Sequence, residues 1–181
     1  YAPPPKLTNL CTPLHPMQFN ALYCLNRQQV HTLSCGAAKP GDFDTHLKGL
    51  AHYENIAATI APIEKRLRAE LTAEHGAQWC AHWPEGLPHY VDVPGEVNLM
   101  EILRLWTYAK GLDMTDWAKM RYNLLGQGDH WFPGETVAKL DMNRITTVIE
   151  DSPFTDQIPD ILEEAHSLLF DQEQKRLSQS E

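Results

Sequence analysis

The side chains best suited to chemistry in this 181-residue chain are Cys80, His82 and His89, with His75 and Asp92 close by in sequence. Thiolate, imidazole and carboxylate are ligands that zinc takes together, and Cys80 and His82 are near enough in the chain to grip one ion from a single loop. A structural zinc site ordinarily carries paired ligands at both ends, and here only one end is even partly paired. The expectation is that these residues lie in an aromatic loop over the core, with zinc on Cys80, His82 and His89 as the alternative. The same thiol and imidazole can be read as a nucleophile and its base, but no third orienting group or oxyanion hole accompanies them.

Other chemical patterns are incomplete. Glu163 and His166 make one Glu-x-x-His match of the kind that helical di-iron sites use twice, and no second match exists. His46 and His52 are six residues apart, about 240° around a helix, and share no face. Gly126, Gly128 and Gly134 lack the Lys-Ser/Thr of a phosphate loop and follow no strand. There is no Gly-x-Ser-x-Gly elbow. Cys11, Cys24, Cys35 and Cys80 form no CxxC pair, so reduced thiols are expected, or at most one bridge among the first three. Four large aromatics remain in two loops: Trp79, Trp83, Trp131 and Phe132 form either a patch for a partner protein or a lid on the open end of the core.

These residues must be positioned by helices, and the clearest helical stretch is 96–126. Leu99, Ile102, Leu103 and Trp106 follow one helical face, as do Trp117, Met120 and Leu124 after a break. Gly111 is suited to end the first helix, and Asp113 or Thr115 to cap the second. Upstream, the prolines of residues 1–12 predict an extended arm, and a helix follows from about Pro13 that ends by Cys35. A long helix is then expected from Asp42, its near-heptad seam running through Phe43, Leu47, Leu50, Tyr53, Ala57, Ile60, Leu67 and Leu71, with a kink or junction at Pro62. Residues 77–95 hold three prolines and two glycines and read as loop, with a short extended segment at Tyr90–Val93. Downstream, one helix is expected over Glu135–Glu150 and another from about Pro159.

The sum is an all-α chain of about six helices in three successive hairpins. It is arranged as an irregular bundle or a short helical-repeat, α-solenoid-like array, with 1–12 as arm, 13–177 as one helical domain and 178–181 as a frayed tail. No apolar run is long enough for a membrane span. Acidic residues outnumber Lys and Arg by 24 to 15. Residues 150–173 carry Glu150, Asp151, Asp156, Asp160, Glu163, Glu164, Asp171 and Glu173 with no Lys or Arg. Such a face repels phosphate, which argues against a nucleic-acid partner and suits a basic protein surface.

The expected function is therefore a non-catalytic structural or accessory subunit, an adaptor that contacts other protein subunits of an assembly. Its contacts are the arm, the aromatic loops (Trp79, Trp83, Trp131, Phe132) and the acidic C-terminal helix (Glu163, Glu164). A soluble intracellular chain is expected; the start at Tyr1 fits either a trimmed start or a removed leader, and a removed leader would suit an organellar subunit, for example of a mitochondrial complex. The competing expectation is a metal- or thiol-dependent enzyme or sensor built on the 75–92 loop.

Overall fold

The computed structural model describes residues 2–127 and 133–171. In chain order the helices are α1 (Pro5–Cys11), α2 (Pro16–Leu25), α3 (Pro40–Leu50), α4 (Ile56–His75), α5 (Ala77–His82), α6 (Leu99–Leu112), α7 (Thr115–Tyr122), α8 (Ile145–Val148) and α9 (Ile158–Leu169). Short 3-10 turns lie between several of them, and the only extended pairing among the described residues is an isolated parallel bridge, Val97 with Glu135. The fold is predominantly helical. No described helix is long and apolar enough to cross a membrane. The chain divides into two compact units, residues 2–70 and 71–171, with the boundary inside α4. The stretch 13–177, expected as one helical domain, spans parts of both.

In the first unit the expected extended arm is instead helix α1. Proline is tolerated in the first turn of a helix, where its missing amide has no intrahelical partner, and Pro5 opens this one. The helix is fixed from a distance: the Arg66 guanidinium donates to the Leu10 carbonyl at 2.9 Å and to the Thr12 carbonyl, and Lys6 pairs with Glu70 at 2.8 Å. Helix α2 starts at Pro16 with a reciprocal cap, Met17 N donating to His15 Nδ1 and His15 N to Gln18 Oε1. It ends at Leu25, ten residues before the expected limit of Cys35. A small core of Cys11, Leu14, Leu22, Ile56, Ile60 and Ile63 unites α1, α2 and α4. Burial raises the Cys11 thiol above its ordinary range, and all four cysteines are free thiols.

The expected long second helix is two helices. Helix α3 stops at Leu50, and a 3-10 turn over Tyr53–Asn55 separates it from α4, which runs through Pro62 without a break. Ala58 and Pro62 are both exposed, so the carbonyl left without an amide partner by the proline can face water.

The second unit is organised around α6, nine of whose fourteen residues are buried. Asn98 caps it by accepting from Glu101 N at 3.0 Å, and it ends at Asp113 in the left-handed conformation (φ 57°, ψ 25°). Gly111, the expected stop, is instead a helical packing position: a Cβ there would lie 2.6 Å from Leu71 Cδ2 and 3.2 Å from His75 Nε2. Helices α7 and α9 pack on α6, with Ile158, Ile161, Leu162, Ala165 and Leu169 supplying the buried face of α9. Asn123 bonds the C-terminal end of α9, its Nδ2 donating to the Leu169 carbonyl at 2.8 Å and its Oδ1 accepting from Asp171 N at 3.0 Å.

Two stretches differ from expectation here. Residues 77–82 are helical despite the loop-like composition downstream, and Tyr90–Asp92 is a 3-10 turn rather than a strand. Residues 135–150 are two 3-10 turns and the single-turn α8, not one long helix. Close packing against neighbouring backbone accounts for part of this irregularity. Gly95 has φ 78°, and a Cβ on it would overlap the carbonyl of Lys139 in the first of those 3-10 turns.

Candidate protein-docking surface

Three of the residues singled out by sequence are gathered at Trp106, in the second unit. Trp79 is 3% exposed. Its indole donates to Thr107 Oγ1 at 3.0 Å, and its ring stacks on Trp83 (6.3 Å between centroids) while meeting Trp106 and Phe154 edge-on at 5.5 and 5.0 Å. Trp79 is therefore part of the core rather than a projecting anchor, and half-buried Trp83 packs against that core. Trp131 and Phe132 lie outside the described residues. Glu163 and Glu164 are exposed on α9. Glu164 accepts from Trp106 Nε1 at 3.0 Å and from Lys110 Nζ at 2.7 Å.

This network has a defined electrostatic state. Lys110, with further help from the Trp106 indole, holds the Glu164 carboxyl below its usual range. His75 sits against the same cluster, its ring 4.8 Å from that of Trp106 and its Nε2 donating to the Thr107 carbonyl at 2.9 Å. Burial lowers its pKa, so the neutral imidazole with the proton on Nε2 is favoured. Nearby, Tyr122 is pushed up to about 12 by burial, so its phenol stays protonated, and its Oη is hydrogen-bonded to His166 Nδ1 at 2.6 Å. His166 is thus committed to α7 and does not pair with Glu163 as a ligand. These contacts tie α9 and the end of α4 to α6 and α7.

The alternative zinc residues are used separately. Cys80 packs against the larger core, His82 Nδ1 is 2.8 Å from Glu85 Oε1, and exposed His89 lies against the Tyr90 ring. Among the described residues no three His, Cys, Asp or Glu side chains converge as a metal site.

The feature that sequence reasoning places inside the fold, and that the structure places outside, is on α3. Phe43, Leu47 and Leu50 are 54%, 62% and 51% exposed, and Tyr53 in the following turn is 55% exposed. The helix itself is well fixed. The Asp42 carboxylate accepts from Ala38 N and Lys39 N at 2.9 and 3.2 Å, bonds that lower its pKa. The opposite face rests on α2: a Cβ on Gly49 would lie 3.5 Å from Gln18 Cβ, and Gln18 Nε2 donates to the Thr45 carbonyl at 3.2 Å. Positions 43, 47 and 50 fall on one side of a helix at 100° per residue, away from 45 and 49. The result is an ordered helix with an apolar stripe turned to solvent. A signal for this is present in the sequence. Continuing the stripe by four residues reaches Glu54 and by seven reaches Ala57, whereas the buried register is Ile56, Ile60 and Ile63. The two apolar patterns are out of phase.

No family model, no curated protein and no solved structure matches this chain.

Proposed function

We propose that this chain is a non-catalytic accessory subunit or adaptor that binds partner proteins. The observation that carries the reading is the exposed stripe of Phe43, Leu47 and Leu50 on a capped, anchored helix. Large apolar side chains grouped on an ordered surface mark interaction sites more often than scattered ones do. The exposed carboxylates of Glu163 and Glu164 on α9 supply a second, charged contact suited to a basic partner surface.

The test is gentle affinity purification of the full chain from its native source, followed by native mass measurement. Stoichiometric partner chains retained through the purification are the expected result. A lone 20.6 kDa species at every protein concentration overturns the reading.

A further inference from the structure

We propose that α3 is the inserted element of a helix-in-groove interface: Phe43, Leu47 and Leu50 enter an uncharged apolar groove on a different protein. The proposal rests on the protein-binding reading above and names the form of its partner.

Spacing is the first argument. Anchors at i, i+4 and i+7 are the pattern by which one helix is read by a groove, because they stack along a single side of about two turns. Preorganisation is the second. With Asp42 capping its start and Gly49 and Thr45 resting on Gln18, α3 is already helical, so little ordering entropy opposes docking.

Area separates the possible occupants. Three side chains about half exposed offer on the order of 300 Å² of apolar surface, whereas a stable interface needs about 800 Å² from each partner. Two copies meeting stripe to stripe fall well short of that. A groove gains the rest by wrapping the flanks of the helix, which a second convex helix cannot do.

Charge fixes the chemistry of the groove. Asp44 and Lys48, each one residue beyond an anchor, are exposed and opposite in sign, so the flank on that side carries no net charge. A groove complementary to it is apolar with a neutral rim. Binding through α3 is then insensitive to salt, in contrast to any contact made by the acidic face of α9.

The experiment places a photo-crosslinking amino acid at position 47 of the full chain in its native source. In parallel it compares partner recovery by wild type, Leu47→Glu and Lys65→Gln, a control at an exposed position of α4. The expected result is a crosslink to one non-self protein. Its recovery falls about tenfold or more with Leu47→Glu, but changes less than about twofold with Lys65→Gln or between low and high salt. Circular dichroism and thermal melting establish that Leu47→Glu remains folded, which the exposure of Leu47 predicts; if it unfolds, the crosslink and salt series decide alone. A crosslink to a second copy or within the same chain overturns the proposal, as does a partner released by salt. Partner chains that co-purify in stoichiometric amount without crosslinking from position 47 overturn the proposal and leave the protein-binding reading standing. Loss of all partners overturns both.

Discussion

Helices α3 and α6 are both amphipathic, both capped at their starts by side-chain oxygens, and opposite in fate. In α6, Leu99, Ile102, Leu103 and Trp106 are buried beneath α7 and α9. In α3, Phe43, Leu47 and Leu50 follow the same three-and-four spacing and face solvent. An apolar stripe thus specifies that a face exists, not what covers it. What differs is the number of elements around each helix: α6 has neighbours on several sides, whereas α3 rests on α2 by one narrow side.

The contrast can be broken or sharpened by substitution. The largest effect belongs to Gly86→Ala in the α6 unit, where a Cβ would overlap the Asp151 carbonyl on a backbone at positive φ. We expect it to lower stability by about 3 kcal/mol or more in urea denaturation. Leu103→Ala, which opens a cavity in a fully buried position, should cost about 3 kcal/mol. The same change at Leu47 should stay within about 0.5 kcal/mol of wild type. A Leu47→Ala loss comparable to that of Leu103→Ala would show that the α3 stripe is covered in the isolated protein.

Smaller effects test the network that holds α6 in place. Trp79→Phe removes the donor to Thr107 Oγ1 while keeping most of the ring, and should cost about 1 kcal/mol. The His75 linkage is read from pH. Its folded pKa lies below the ordinary value of 6.5, so the neutral form is favoured by folding. This contribution is fully present above pH 6.5 and is lost as pH falls from there through the folded pKa. Urea midpoints measured between pH 7.5 and 5 should therefore decline, and His75→Gln should flatten that decline. Identical slopes in wild type and variant would remove His75 from this account.

Legibility follows the range of the interactions. The α6–α7 stretch can be read because its spacing, its break near 111–114 and its large apolar side chains act within one or two turns. The stop expected at Gly111 lies two residues before the observed one. Gly111 and Asp113 both suit a helix end locally, and the close approach of Leu71 and His75 requires the small residue inside the helix. Helix α1 escapes a sequence reading because its three prolines argue against helix everywhere except the first turn, while its anchoring comes from Arg66, more than fifty residues away. The helix expected over 135–150 fails for a similar reason. The 3-10 turns there fit a segment threaded against other backbone, with Glu135 bonded to Glu96 and Asn98. In the candidate site, the sequence singles out Glu164 and Trp79 but not their roles, because a carboxylate beside a buried indole and an exposed one look alike in sequence.

By itself the sequence determined the helical class, the acidic C-terminal half and the existence of each apolar stripe. All of these depend on residue type and on spacing within a few turns. Only the tertiary structure decided which stripes are buried, that Trp79 belongs to the core, and that α3 presents Phe43, Leu47 and Leu50 outward. Those outcomes depend on which distant elements supply the covering surface, and burial is a property of the pair rather than of either face alone.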